Sequence, residues 1–128
     1  MVDIWLTPAT TEEDFEFIRL LRTDARTIQG FIEQGEITRE QQLEYMKKYA
    51  SCYWVAESAN DRINLGFIGV IHNDIRYCVV PYFQNKGYGV AMLNLIKARF
   101  PYASGKIKKD NHSSIRAFEK AGIPYTLV

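Results

Sequence analysis

A β-type run from Ile75 to Val80 breaks into Pro81-Tyr82-Phe83-Gln84-Asn85-Lys86-Gly87-Tyr88-Gly89 and then continues as a helical pattern. A strand that turns through a glycine-containing loop into a helix directs several unpaired backbone N–H groups and a positive dipole end at one point in space. Gly87 and Gly89 carry no Cβ to block an approaching phosphate and permit positive φ, while Lys86 adds a full positive charge beside them. The loop reads as an anion site, and the ligand it predicts carries a pyrophosphate.

Such a loop needs a rigid core behind it. With 47% hydrophobic and 13% aromatic residues in 128, the chain has enough apolar material for one packed domain over residues 1–128. A net charge of +1 argues against a broad nucleic-acid or membrane footprint, so the ligand's charge must be met locally. Cys52 and Cys78 both lie in apolar strand-like runs, which predicts buried free thiols in a reducing compartment. The opening Met-Val-Asp-Ile-Trp lacks a basic region before an apolar stretch, and no apolar run approaches the roughly 18 residues of a membrane span, so a cytoplasmic protein is expected. His72 and His112 with the two cysteines do not make a zinc pattern, and no metal is expected.

The remaining elements follow from period and caps. Asp3 to Pro8 predicts a first strand; Thr11 with Asp14 predicts a capped helix to about Ala25, and Thr38 a second helix running to Ala50. Cys52–Glu57, Ile63–Ile71 and Ile75–Val80 predict three consecutive strands in an antiparallel meander. After the loop, Gly89 to Phe100 predicts a helix stopped by Pro101, Ala103–Lys108 a strand, Asn111 or Ser113 the start of a last helix ending at Gly122, and Ile123–Val128 a final strand. The expected order is β-α-α-β-β-β-α-β-α-β. This is an α/β (α+β) fold with a mixed, mostly antiparallel sheet and about four helices.

Several known loops resemble this one in part. A phosphate-binding Walker loop needs Lys followed by Ser or Thr after its second glycine, whereas Lys86 precedes Gly87. A dinucleotide fingerprint needs a small residue where Met92 stands. A third reading gives the glycines no ligand at all, only the capping of a helix. A fourth is a family likeness: Gln84-Asn85-Lys86-Gly87-Tyr88-Gly89 resembles the acetyl-CoA-binding signature of the GNAT family of N-acetyltransferases, Q/R-x-x-G-x-G/A. Asp110 to Ile123, where Asn111 opens a helix ending in Gly122, resembles the same family's second signature. The likeness extends over nearly the whole chain through the element order.

The resemblance implies acetyl-CoA as cofactor and transfer of its acetyl group to a primary amine by direct attack in a ternary complex. It implies contacts to coenzyme A from Gln84, Asn85, Lys86, Gly87, Tyr88, Gly89 and Val90, backbone pairing of Val79 and Val80 with the pantetheine arm, and further contacts from Asn111 and Phe118. Lys106, Lys108 and Lys109 are candidates for its 3′-phosphate, against the plainer reading of a solvated strand end. Family members commonly end in two strands after the last helix. Here one remains, which we expect to pair in parallel with the Ala103 strand, leaving an edge that a homodimer could cover. The chain is thus expected to be a monomer or homodimer.

Catalysis needs a neutral amine nitrogen and a proton for the departing thiolate. Many relatives place a proton-donating tyrosine seven residues after the asparagine; here that position is Phe118. Tyr82, Tyr88 or Tyr125, or a water held by Asn111 or Ser114, are substitutes. Alternatively the thiolate leaves unaided, its thiol having a pKa of roughly 8.5. Asp74 and Glu57 are candidate bases, with His72 a third. The acceptor is a small-molecule amine or a protein N-terminus. Arg22-Thr23-Asp24, Gly35 to Gln42, Tyr53 to Glu57 and Ser114 to Gly122 resemble the branch holding amino-sugar nucleotide and ribosomal-protein acetyltransferases, and the Phe118-Glu119-Lys120-Ala121-Gly122 ending is slightly closer to the amino-sugar enzymes. The alternative is a non-catalytic acyl-CoA-binding module or partner subunit.

Overall fold

Reciprocal capping boxes start the first two helices. At α1 (Glu12–Thr23) the Asp14 N–H donates to the Thr11 hydroxyl at 3.1 Å and the Thr11 N–H to the Asp14 carboxylate at 3.2 Å. At α2 (Arg39–Tyr49), Thr38 and Gln41 repeat the exchange at 3.1 and 2.8 Å. Each box satisfies two otherwise orphaned N–H groups, worth about 1 kcal/mol. The computed structural model describes residues 3–128. Around the two helices it places β1 (Ile4–Pro8), β2 (Tyr53–Ser58), β3 (Asn64–Ile71), β4 (Asp74–Val79), α3 (Tyr88–Arg99), β5 (Gly105–Ile107), α4 (His112–Ala121) and β6 (Tyr125–Leu127), with 3₁₀ turns at Ile28–Gly30, Ala50–Cys52 and Pro81–Phe83.

Strands β1 to β4 form an antiparallel sheet in chain order, so the expected meander is present and β1 extends it. Strand β3 is buried on both faces because its apolar run serves two cores. On one face Ile68 and Val70 pack with Met92, Leu93 and Ile96 of α3 and Phe118 of α4. On the other, Phe67 and Ile71 pack with Ile18, Met46 and Tyr53. Period-two alternation sorts β4 the same way: Ile75, Tyr77 and Val79 face α3 and α4, and Cys78 faces α1 and α2. Both cysteines are free; Cys78 is buried as expected, while Cys52 is only half-buried. Burial pushes the Cys78 thiol up to about 12.

Strands β5 and β6 form a parallel pair, Gly105 beside Tyr125 through Ile107 beside Leu127, as expected for the terminal strand. Both are shorter than the sequence predicts, because the flanking backbone is used in turns. Ala103 N–H bonds to Phe100 O at 3.0 Å, Asn111 N–H to Lys108 O at 2.9 Å, and Ile123 N–H to Phe118 O at 3.0 Å. Helix α1 likewise stops at Thr23 rather than near Ala25, since Asp24 turns extended and its carboxylate accepts the Arg26 N–H at 2.8 Å.

What joins the pair to the main sheet is narrow. Ile75 N–H bonds to Ser104 O at 2.9 Å and Ser104 N–H to Asn73 O at 2.8 Å, around one parallel bridge between Asp74 and Ser104. Beyond that bridge β4 and β5 part.

Candidate active site

The parting of β4 and β5 opens a V-shaped cleft of about 670 Å³. Tyr77 and Val79 line one wall, Lys106 and Ile107 the other, and Asn111, Ser114 and Phe118 of α4 lie along it. The Gln84–Gly89 loop closes its wide end, while Arg22, Thr27 and Phe31 come from the α1 side. Because Ile75 directs its N–H to Ser104, alternation directs the backbone groups of Tyr77 and Val79 into the cleft as well. Val80 corrects the sequence reading. Its N–H donates to Leu65 O and its C=O accepts from Phe83 N–H, both at 2.8 Å, so its one donor is already taken and it cannot pair with a ligand as a strand would.

The loop has the form of an anion cradle. Asn85 and Gly87 sit at φ 62 and 89, the left-handed conformation that curls successive N–H groups to one side. Gly87 is the N-cap of α3 and supplies no side-chain cap, whereas Thr11, Thr38 and Asn111 each cap their own helix. Ala91 N–H is bonded to Gly87 O at 3.1 Å, and the N–H groups of Tyr88, Gly89 and Val90 before it remain open at the positive end of the helix. The demand for glycine lies at Gly87 alone. A Cβ at Gly89 would meet the Tyr77 ring at 3.5 Å, an ordinary contact. Lys86 holds its ammonium 5.0 Å over the Tyr82 ring, and Gln84 folds back to donate to Val79 O at 3.1 Å.

At the α4 wall, Asn111 accepts the Ser114 N–H at 3.3 Å, so its oxygen is a helix cap, and its amide NH₂ lies toward Gly30 with no acceptor of its own among the described residues. Phe118 is 2% exposed and lies edge-on to Tyr77 and Tyr125, with centroids 5.8 and 6.2 Å away. The close packing has a backbone cause: a Cβ at Gly105 would stand 2.5 Å from the Phe118 ring.

Beside this proton-less ring is a hydroxyl that sequence reasoning missed. Tyr77 donates to Ser114 Oγ at 3.0 Å, one helical turn ahead of Phe118. Burial raises its pKa, which keeps the phenol neutral and able to donate. Counting by twos back from Val79 would have put Tyr77 on the cleft side of β4. Of the tyrosines named from sequence, Tyr125 packs against Phe118 from β6 and two lie elsewhere. Tyr82 is 76% exposed, and the Tyr88 ring packs edge-on to Phe83 at 6.1 Å.

Asp74 sits at the closed end of the V, 3.6 Å from Arg76 Nε. Glu57 is not brought to the cleft: its carboxylate accepts from Thr7 Oγ1 at 2.5 Å and Arg62 Nε at 3.3 Å on the β1–β2 side of the sheet, which removes it from the candidate bases. His72 lies exposed in the β3–β4 turn at φ 52, also outside the cleft lining. Of the three lysines, Lys106 lines the cleft and Lys108 donates instead to Gln29 O at 2.8 Å.

The acetyltransferase (GNAT) domain family matches residues 3–123. No curated protein matches the sequence. Among solved structures, a domain from Methanocaldococcus jannaschii superposes with a TM-score of 0.80 at 18% identity, covering 95% of this chain and 88% of its own. The spermidine N-acetyltransferase of Vibrio cholerae, solved with CoA and spermine, gives 0.78 at 16% identity over 93% and 79%. A GNAT-family acetyltransferase from Bacillus anthracis gives 0.74 at 19% identity over 95% and 81%. The open α3 terminus, the glycine loop and the V-shaped cleft fit coenzyme A, and with the match over nearly the whole sequence the chain belongs to the GNAT family, as an acetyl-CoA-dependent N-acetyltransferase.

Proposed function

We propose that the chain acetylates a small-molecule primary amine in a ternary complex, with Tyr77 as the group that gives the leaving thiolate its proton. The observation that carries this is the Tyr77–Ser114 hydrogen bond on the cleft wall, beside a Phe118 that cannot donate. Acetyl-CoA supplies the thioester carbonyl; the new C–N bond forms as the C–S bond breaks. The open N–H groups of Tyr88, Gly89 and Val90, with Lys86, hold the pyrophosphate. Three charge-assisted bonds at roughly 1.5–3 kcal/mol each account for much of a micromolar affinity of about 8 kcal/mol. Backbone groups of Tyr77 and Val79 receive the pantetheine arm, and the Asn111 amide donates to it. Tyr77 Oη–H rests on Ser114 Oγ; as the C–S bond breaks the phenol turns its proton to the thiolate sulfur, and the Ser114 hydroxyl turns to donate to the phenolate that is left, until solvent returns the proton.

Asp74 is the base that takes the proton the amine sheds, directly or through water. Its place at the closed end of the V puts it away from the pyrophosphate loop and toward the α1 side, where an acceptor enters. Among acceptors, an amino-sugar nucleotide is favoured over a protein N-terminus, on the likeness of the Phe118-Glu119-Lys120-Ala121-Gly122 ending to the amino-sugar enzymes.

Direct attack requires both substrates to be bound together. Initial rates measured against acetyl-CoA at several amine concentrations should give intersecting double-reciprocal lines. Parallel lines would instead mean that the acetyl group first passes to the protein.

A further inference from the structure

We infer that Arg22 and Arg76 form an oxyanion subsite at the closed, α1 side of the cleft, so that the acceptor amine carries a carboxylate or phosphate. The inference rests on the transferase reading above and names the acceptor's chemistry.

Arg22 lies in the last turn of α1 and lines the cleft. Its Nε is buried and has no hydrogen-bond partner among the described residues. The guanidinium is stacked 5.0 Å over the Phe31 ring, and the helix C-terminus favours its charge, but neither contact uses the N–H donors. An N–H buried away from water without a partner is costly in the free protein, and the two Nη groups beside it are free to take an oxyanion. Arg76, on β4, lines the same cleft, beside the Tyr53 hydroxyl that is bonded to Tyr45 Oη at 2.9 Å. Arg76 donates to Tyr45 Oη at 3.3 Å.

The negative groups facing them are few. Asp74 reaches Arg76 at 3.6 Å, too long for a hydrogen bond, and Glu33 is exposed on the cleft rim. Asp24 is committed to Arg26 at 2.8 Å. Two forked cations with spare donors, set apart from the Gly87 loop, match an oxyanion that is not the cofactor's pyrophosphate. A polycationic acceptor is disfavoured at the same place by like-charge repulsion.

The test is calorimetry on the full chain saturated with coenzyme A, using matched pairs of ligands. Glucosamine 6-phosphate against glucosamine tests a phosphate, and glycine against glycinamide a carboxylate; spermidine serves as the cationic contrast. At least one anionic member should bind about tenfold or more tighter than its uncharged twin, and spermidine more weakly than either. Arg22→Gln and Arg76→Gln should each reduce the ratio within the selective pair toward unity, with Arg22→Lys retaining part of it. Twins that bind alike, no binding by any probe at millimolar concentration, or a ratio that survives both glutamine variants each overturn the subsite. The wild-type ratio needs no variant to fold. Coenzyme A release is scored separately: acetylation indifferent to charge removes the subsite alone, whereas anion-selective binding without any acetyl transfer removes the transferase reading alone.

Discussion

Replacing Tyr77 by Phe should lower kcat by about 100-fold while acetyl-CoA affinity stays within about twofold, because one hydroxyl is lost and the ring that packs on Phe118 is kept. The magnitude is that of a positioned proton donor in an acyl transfer. Ser114→Ala leaves the phenol in place but frees its direction, so a smaller loss, about tenfold, is expected for this positioning residue. The pH profile separates a donor from a merely structural tyrosine. Burial raises the Tyr77 pKa, so the hydroxyl stays protonated through neutrality, and wild-type kcat should lose its acid only at a pH above the ordinary tyrosine range. That alkaline limb should disappear in Tyr77→Phe. A variant rate within threefold of wild type would mean that the thiolate leaves without this proton.

Much of this site was legible in the sequence for a physical reason. The loop's chemistry is written in contiguous residues, so Gln84 to Gly89 announced an open helix start before any fold was known, and Thr11 and Thr38 announced their helices by local hydrogen bonds. What contiguity does not encode was misread. Val80 directly follows the right strand, yet its N–H points to Leu65, which only the register of β3 against β4 determines. Glu57 ends a strand as a candidate base should, but on the far side of the sheet, bonded to Thr7 from β1. Tyr77 and Ser114 are 37 residues apart, and the contact that gives the pair its meaning exists only once α4 packs over β4. Arg22 belongs to the same class, since its lack of a partner is a property of its neighbours and not of its own segment.

Gly66→Ala should produce the largest loss of stability of any single methyl addition in the chain. Its Cβ would fall 2.2 Å from the Cys78 carbonyl oxygen and 3.1 Å from Val79 Cα. Both are backbone atoms, so no side chain can swing aside. Gly66 pairs with Val79 where the β2–β3 register slips between Ala56 and Glu57, and the close approach is fixed by Val80 N–H on Leu65 O at 2.8 Å. Relief requires β4 to move off β3, at a cost of about 3 kcal/mol, or a fall in Tm of about 10 °C. Because the strand that moves is the cleft wall, acetyl-CoA should also bind more weakly in the surviving folded fraction. Gly35→Ala is the control: nothing lies within 4 Å of its Cβ, and a shift within about 0.5 kcal/mol is expected. Thermal unfolding of the two variants side by side tests this, and equal Tm values would contradict it.

The central claim is that the Gly87 loop and the β4–β5 cleft bring acetyl-CoA to an amine. Its most direct test is to incubate the protein with acetyl-CoA and a panel of anionic, neutral and cationic primary amines, quantifying free coenzyme A thiol and acetylated amine by mass in the same samples. The account predicts thiol and amide in equal amounts for at least one amine, with Tyr77→Phe reducing both together. Acetyl-CoA bound at the loop with no amide formed from any amine, or thiol released without amide, would contradict it.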